Sequence, residues 1–316
     1  MIQNSILECS GNSVSIDAYA TGLSRVGSQV CRGTEETYWI RYESAAMVRI
    51  PTFAFAPVAK DEARQVLWRA PAVLLSYMIE PDEQHPANAW LYLCEDPAYD
   101  LQKLQPPVRR NIRRGLAGLS LAWLTREELL GHGFQAFSDT RARVGLTEGT
   151  RADFVQRFAA RSQCAGHSFL GAWKDDKLAA FLSVTEVDDW AEIEGAFSRN
   201  DLLEARPNDT LIYAALFHYL TQERRRVVSY GPSSIQRSSN EQGLHSFKTK
   251  MGFQAKPVHR AFVFHPFLRC LVNRGVLCVM NAALRFFPGN RRLKKIEGAI
   301  ATILKRRRPS EQDVCL

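Results

Sequence analysis

Residues 169–198 read FLGAWKDDKLAAFLSVTEVDDWAEIEGAFS, and this stretch decides the fold. It contains three apolar, strand-like runs at 169–174, 178–187 and 190–198, separated by Asp175-Asp176 and Asp188-Asp189. Aspartate suits tight turns because its short side chain bonds nearby backbone N–H groups. Strands joined by such two-residue turns predict an antiparallel meander.

The segments on either side of the meander continue an alternation of strands and helices. In chain order the pattern predicts a strand at 119–124, helices at 126–144 and 152–164, the meander, a helix at 211–223, a strand at 226–230, a helix that begins at the capping pair Ser238 and Glu241 and ends at Gly252, and a strand at 257–264. A single helix joins the strand at 190–198 to the strand at 226–230. This connection predicts that the two strands are parallel neighbours.

The first 116 residues are less regular. They contain strand-like runs at 38–42, 47–55 and 90–94 and a helical stretch at 61–69. Pro106 and Pro107 then open a basic helix. Proline suits the first turn of a helix, because the N–H that it lacks would have no partner there.

Composition limits the class of protein. The 316 residues are 46% hydrophobic and 23% charged, as in ordinary soluble proteins. The seven cysteines form no C-x-x-C pair and the histidines have no metal-ligand spacing, so we expect reduced thiols, no metal and a cytoplasmic protein. The N-terminal residues predict no signal peptide, and no apolar run is long enough to span a bilayer.

The positive charge is concentrated at the C-terminal end. Residues 269–316 hold eleven basic and three acidic residues, so they carry the whole net charge of +8. Within 267–287, Arg274, Asn281 and Arg285 fall on one helical stripe, and the rest is mostly apolar. We expect this tail to lie on an anionic membrane surface, peripherally. Packing on the protein body and binding to RNA are the alternatives.

Two motifs resemble those of a known family. The stretch GLHSFKTKMGF at 243–253 resembles the F-K-x-x-x-G-F signature of Fem-like peptidyltransferases and related acetyltransferases. The stretch RRNIRRG at 109–115 resembles the basic helix that ends the first of two lobes in that branch. The element order over residues 119–265 is similar to the fold of the GNAT superfamily.

The resemblance implies an α/β (α+β) fold with a GNAT-like mixed sheet flanked by helices, in tandem lobes. It divides the chain into a diverged N-terminal GNAT-like lobe at 1–116, a C-terminal GNAT acyltransferase domain at 117–268, and a basic amphipathic helical tail at 269–316.

One segment departs from the common GNAT pattern. Many acetyl-CoA enzymes carry a glycine-containing loop before the helix that follows the meander, and its N–H groups bind pyrophosphate. Here residues 204–210 read EARPNDT, with no glycine, a proline that removes a donor and an aspartate that repels phosphate. Fem-like proteins also lack this loop, and many take an aminoacyl group from tRNA. Acyl-CoA and aminoacyl-tRNA therefore both remain candidate donors.

The third meander strand holds the candidate bases. Acylation of an amine needs a group that accepts the amine's proton. Alternation along a strand puts Glu192 and Glu194 on one face and Ile193 and Phe197 on the other. Either glutamate is a candidate base, with Glu194 preferred; two solvated glutamates on a polar face are the alternative. The resemblance places the acyl donor in a gap beside this strand, with contacts to Ile193, Ala196, Phe197 and Ser198.

Tyr230 and Lys248 complete the candidate catalytic set. Tyr230 ends the next parallel strand, at the edge where open α/β sheets bind ligands, and is a candidate acid for the leaving group. Lys248 lies in the F-K signature, where the resemblance implies a lysine that faces the acyl-transfer centre and stabilises the oxyanion. A buried structural tyrosine and a surface lysine are the alternatives.

The basic helix supplies a candidate phosphate-binding group. Its arginines form two i,i+4 pairs and are Arg109, Arg110, Arg113 and Arg114. Guanidinium groups suit the phosphates of a nucleotide-linked or lipid-linked acceptor, or of tRNA. A solvated basic face is the alternative.

Together the motifs predict an N-acyltransferase. It would move an acyl or aminoacyl group from acyl-CoA or aminoacyl-tRNA to an amine of a cell-envelope, polysaccharide or lipid-linked acceptor. The alternative is a catalytically inactive GNAT-like scaffold that binds membrane or RNA through its tail.

Overall fold

The computed structural model describes residues 14–42, 46–70, 72–145, 149–233, 241–287 and 290–306. Over these residues the helices are α1 (Ile16–Arg25), α2 (Lys60–Arg69), α3 (Pro106–Gly118), α4 (Arg126–His132), α5 (Phe134–Arg143), α6 (Arg151–Phe158), α7 (Pro207–Leu216), α8 (Glu241–Lys250), α9 (Arg274–Phe286) and α10 (Arg291–Arg306). The strands are β1 (Val30–Arg32), β2 (Tyr38–Tyr42), β3 (Ala46–Ile50), β4 (Leu74–Ile79), β5 (Ala89–Cys94), β6 (Ser120–Trp123), β7 (His167–Lys174), β8 (Lys177–Val187), β9 (Trp190–Ser198), β10 (Val227–Pro232) and β11 (Gln254–Phe264).

The chain divides into two compact units, and neither is continuous in sequence. The first unit is built from residues 1–29, 91–232 and 242–256, and the second from residues 30–90, 233–241 and 257–316. This division differs from the consecutive segments 1–116, 117–268 and 269–316 that the resemblance implies. The difference arises because strand pairing joins distant segments: β4, for example, pairs with the last strand, β11.

The first unit contains a mixed sheet with the strand order β5-β10-β9-β8-β7-β6. Strands β7, β8 and β9 are consecutive antiparallel neighbours, which confirms the predicted meander. Asp175 and Asp188 have φ angles of 52° and 44° at the two turns. Aspartate tolerates this left-handed region better than most residues, so the turns follow from local chemistry.

Helices cover both faces of this sheet. On one face, α3 and α7 pack over buried aliphatic side chains such as Leu182 and Ile193. On the other face, α5 and α6 pack over a phenylalanine cluster that includes Phe158, Phe181 and Phe197. Parallel pairing of β9 with β10 accounts for α7 on the first of these faces, because the connection between the two strands crosses that face.

The second unit contains the sheet β1-β2-β3-β4-β11. Helix α2 packs on it beside the buried residues Trp39 and Met47. The C-terminal helices contact the same unit through Ala299 and Ile300, which lie in a cluster with Leu74 and Phe264. One side of the tail therefore packs on the protein body.

Some element boundaries differ from the sequence prediction. The helix predicted at 126–144 is two helices that meet at Gly133, where a Cβ would lie 2.7 Å from the carbonyl oxygen of Leu129. The helix predicted at 211–223 begins earlier, at Pro207, and continues as a π-helix over Phe217–Gln222. Ser238, the predicted capping residue of α8, lies outside the described residues.

Candidate active site

Strands β9 and β10 are parallel neighbours for only three residue pairs. These pairs are Trp190 with Val227, Ala191 with Val228, and Glu192 with Ser229. Beyond Ser229, β10 remains paired with β5, whereas β9 continues to Ser198 beside β8. The three pairs confirm the predicted parallel arrangement, and pairing between the two strands ends at Glu192 and Ser229. We call the unpaired region between Ile193 and Tyr230 the β9–β10 cleft.

A β-bulge lies in β9 where the cleft opens. Val184 of β8 is opposite Ile193 and Ser183 is opposite Gly195, so Glu194 is the extra residue. A bulge bends its strand and shifts the alternation of side chains by one position. Phe197 consequently joins the phenylalanine cluster, 4.8 Å between ring centroids from Phe181, on the face opposite to Ile193. The prediction that Ile193 and Phe197 share a face was wrong, because strict alternation ignored the bulge.

Lys248 is buried at the end of the parallel pair, with 4% of its surface exposed. Its Nζ donates a 2.9 Å hydrogen bond to the carbonyl oxygen of Tyr230. The same nitrogen lies 4.1 Å from the ring centroid of Tyr92 and 4.3 Å from that of Tyr230. Aromatic faces attract a cation, so the ammonium group is held at a defined point between two rings.

Burial changes the protonation chemistry of this lysine. Desolvation lowers the pKa of Lys248 to about 7, and the negative charge of Glu192 opposes the shift. Burial also raises the pKa of the Tyr230 hydroxyl, which therefore stays protonated at neutral pH. The cleft thus has a cation that titrates near neutrality beside the ring of a tyrosine that stays protonated.

The two glutamates of β9 have different surroundings. Glu194 accepts a 2.7 Å hydrogen bond from the Thr185 hydroxyl and forms an ion pair with Arg161. Glu192 acts electrostatically on Lys248, and its Oε1 lies 3.9 Å from the position of a Cβ built on Gly231, in β10. Glu194 is therefore engaged by Thr185 of β8 and by Arg161, whereas Glu192 faces the end of β10.

The sequence analysis missed Tyr92 as a partner of this site. Tyr92 Oη and His245 Nδ1 lie 3.0 Å apart, so His245 fixes the ring against which Lys248 packs. We refer to Lys248, Tyr92, Tyr230, His245 and Glu192 as the Lys248 cluster. Tyr92 lies in a segment that the sequence assigned to another lobe, so only the pairing of β5 with β10 reveals its role.

The predicted donor-binding residues of β9 are mostly packed inside the unit. Ile193 is 2% exposed and Ala196 is half-buried against the aliphatic core. Ser198 is buried, and its Oγ accepts hydrogen bonds from Arg143 at 2.8 Å and from Asn208 at 3.0 Å. After Glu192, where pairing with β10 has ended, the backbone of these β9 residues rather than their side chains borders the β9–β10 cleft.

The start of α7 occupies the place of the usual phosphate loop. Arg206 has a left-handed φ of 59°, and Pro207 is the first helical residue. Burial raises the pKa of Asp209, an effect that Arg206 and a hydrogen bond with Asn111 oppose. A Cβ on Gly115 of α3 would collide with the Thr210 side chain, so α3 lies directly on the start of α7. A pocket of about 200 Å³ remains beside Asp209, between α3, α7 and α8.

The four arginines of α3 lie away from the buried side of that helix. Val108, Ile112 and Gly115 are the buried residues of α3. Arg110, Arg113 and Arg114 are exposed, and Arg109 donates a 3.1 Å hydrogen bond to the Gln102 side chain. The structure therefore does not gather these arginines into the Lys248 cluster.

Two further results concern metals and membranes. Among the described residues, no group of three or more His, Cys, Asp or Glu side chains is placed to hold a metal ion. Within the same residues, no helix combines the length and apolar character required to cross a bilayer.

Comparison with known proteins identifies the fold. No protein-family model and no curated protein matches the chain. Among solved structures, FemX matches with 9% identity and a TM-score of 0.54, over 80% of this chain and 93% of FemX. The C-terminal domain (DUF2156) of an Agrobacterium fabrum protein, named as a lysylphosphatidylglycerol synthetase, matches with 16% identity and a TM-score of 0.52, over 84% of this chain and 91% of that domain.

The short parallel pair beside a three-strand meander, together with these matches, shows that the chain has a GNAT-like fold. The match with FemX extends over most of both chains, so the two proteins share this fold. The GNAT-like fold that the element order predicted is confirmed, and the Fem-like branch that the F-K-x-x-x-G-F stretch predicted stays a prediction.

Proposed function

We propose that this protein is an N-acyltransferase that moves an acyl or aminoacyl group to an amine in the β9–β10 cleft. The observation that carries the proposal is the position of Lys248, buried between Tyr92 and Tyr230 where the parallel pair ends, with Glu192 acting on it electrostatically. A buried lysine held by aromatic rings and one carbonyl is costly to maintain for packing alone, which favours a catalytic role.

Each group has one step in this mechanism. The attacking amine gives its proton to Glu192 as its nitrogen bonds to the acyl carbon. The Lys248 ammonium stabilises the oxyanion of the tetrahedral intermediate. As the bond from the acyl carbon to the leaving sulfur or oxygen breaks, the leaving group takes a proton from Tyr230. The proton on Glu192 then returns to the tyrosine through solvent. Glu192 replaces Glu194 as the preferred base, because Glu194 is paired with Arg161.

The donor lies along the free edge of β9 in this proposal. Backbone groups from Ile193 to Ser198 would bind it, with Ile193 and Ala196 nearest and Phe197 and Ser198 supporting the strand from their packed positions. Both acyl-CoA and aminoacyl-tRNA stay candidates. The start of α7, with Pro207 and Asp209 beneath α3, favours a donor that puts no pyrophosphate there.

The acceptor is an amine on a cell-envelope, polysaccharide or lipid-linked molecule. The Agrobacterium protein is named for the synthesis of an aminoacylated lipid, which supports an acceptor or product of this class. Arg110, Arg113 and Arg114 are exposed on α3 and could bind phosphate on the acceptor or on tRNA.

Transfer assays with one variant and a matched control test the proposal. Purified protein is incubated with acyl-CoA or aminoacyl-tRNA and a panel of amines, and products are measured by mass spectrometry. Lys248→Met should lower transfer by about 10²–10³-fold, because the oxyanion loses its cation. Lys174→Met, an exposed lysine at the end of β7, should leave the rate unchanged.

The two donors and the scaffold alternative give different results. Loss of activity on ribonuclease treatment identifies the tRNA donor, and persistence with pure acyl-CoA excludes it. A folded wild-type protein that transfers nothing from either donor, or a Lys248→Met variant that retains full activity, would support the inactive scaffold instead.

A further inference from the structure

Helix α9, in the second unit, exposes apolar side chains to water. Its exposed residues Cys278, Val279, Ala282 and Phe286 lie within an arc of about 100° around the helix, so they form one continuous stripe. Val279 is 68% exposed and Phe286 is 80% exposed. We call this stripe the outer face of α9.

The remaining positions of α9 show that the core contacts of this helix are made by a different side from the outer face. Val276, Leu277 and Met280 lie on another side of the helix and pack into the cluster that also contains Ile300. Arg274, Asn281 and Arg285 are exposed and form a third, polar stripe beside the outer face. The helix therefore has an inner apolar face that is covered, an outer apolar face that is not, and a cationic border.

The same unit exposes further aromatic residues. They lie in the segments directly before and after α9, or contact the segment before it. Phe267 is 72% exposed, and its ring centroid lies 5.3 Å from that of Trp68, which is 50% exposed. Phe287, directly after α9, is 63% exposed. Aromatic side chains of this kind favour the boundary between water and lipid.

We infer that the outer face of α9 docks on the surface of a bilayer that contains anionic lipid. Apolar side chains enter the acyl boundary while Arg274 and Arg285 meet the headgroups. Residues 269–316 carry the whole net charge of +8, so the charge complements an anionic surface. The helix lies on the membrane in this arrangement and does not cross it.

The same charge disfavours the other occupants of this face. A second copy of the chain would bring its own cationic tail against the first, and like charges would repel. A nucleic acid would satisfy the arginines through its phosphates but would leave Val279 and Phe286 in water. A lipid surface satisfies both features at once.

Vesicle flotation of the full chain tests the inference without any transfer assay, so its outcome is separable from that of the proposed function. Vesicles of phosphatidylcholine alone are compared with vesicles that also contain phosphatidylglycerol, at low and at high ionic strength. The protein should float with the anionic vesicles, and less so at high ionic strength.

Two variants and one control separate the contributions. The double variant Val279→Ser/Phe286→Ser should weaken vesicle binding at least about tenfold, because apolar burial is lost. Arg274→Gln and Arg285→Gln should each weaken binding about fivefold. The control Val144→Ser/Val155→Ser removes two exposed valines of the first unit and should bind like the wild type.

Three results would overturn the inference. One is equal binding of the wild type to both kinds of vesicle, or to neither. Another is unchanged binding by Val279→Ser/Phe286→Ser. The third is a wild-type dimer in gel filtration, or a complex with an RNA oligomer, that the same double variant abolishes while no vesicle binding is seen.

Discussion

The Lys248 cluster and the outer face of α9 depart from ordinary burial in opposite directions. In the first, a lysine is removed from water and held by two aromatic rings and a carbonyl oxygen. In the second, a valine and a phenylalanine are left in water beside arginines. A buried charge gains catalytic strength from its low-dielectric surroundings, whereas an exposed apolar stripe gains binding energy only when a partner covers it. The comparison therefore predicts that variants of the cluster change chemistry and variants of the outer face change binding.

Within β9, the largest expected effect on transfer separates the two glutamates. Glu192→Gln should lower transfer by about 10²-fold or more, because the amine loses its proton acceptor. Glu194→Gln should have a smaller effect on rate, since that carboxylate is held by Arg161 and Thr185. Initial rates of both variants at equal folded concentration make the test, and a larger loss for Glu194→Gln would reverse the assignment of the base.

The next effect concerns stability and its dependence on pH. The pKa of Lys248 falls from 10.5 to about 7 in the folded protein because burial disfavours its charge. Between these two values the unfolded chain binds a proton that the folded chain lacks, so this lysine destabilises the fold fully below pH 7 and progressively less up to pH 10.5. Lys248→Met should therefore be more stable than the wild type by a few kcal/mol at pH 6 to 7.

Thermal or denaturant unfolding at several pH values checks this prediction. The stabilising effect of Lys248→Met should shrink as the pH rises from 7 towards 10.5. A variant that is less stable than the wild type at pH 7, or a stability difference that does not change with pH, would show that desolvation of the Lys248 charge does not destabilise the fold.

The smallest expected effect lies on the outer face of α9. Val279→Ser/Phe286→Ser should change the free energy of unfolding by less than about 0.5 kcal/mol per residue, since both side chains are exposed. Ile300→Ala, on the covered side of the same helical pair, should cost about 2–5 kcal/mol. Urea unfolding compares them, and a large loss for the exposed pair would place these residues in a core rather than on a surface.

Much of the fold could be predicted from local sequence. The turns at Asp175 and Asp188 and the helix that joins β9 to β10 led directly to the meander and the parallel pair. Lys248 was found through its resemblance to a family signature, since its spacing alone is also that of a surface lysine. Tyr92 could not be found, because its contacts with Lys248 and His245 depend on a strand pairing between residues more than a hundred positions apart.

The sequence by itself determined the order of the elements, the direction of β9 relative to β10 and the location of the net charge at the C-terminal end. These properties follow from turn chemistry, side-chain periodicity and composition, which act over a few residues. The bulge at Glu194, the burial of Lys248 and the side of α9 that faces water depend on the tertiary structure. Each of these depends on which distant side chains remove a group from solvent, and that free energy is not encoded in any one segment.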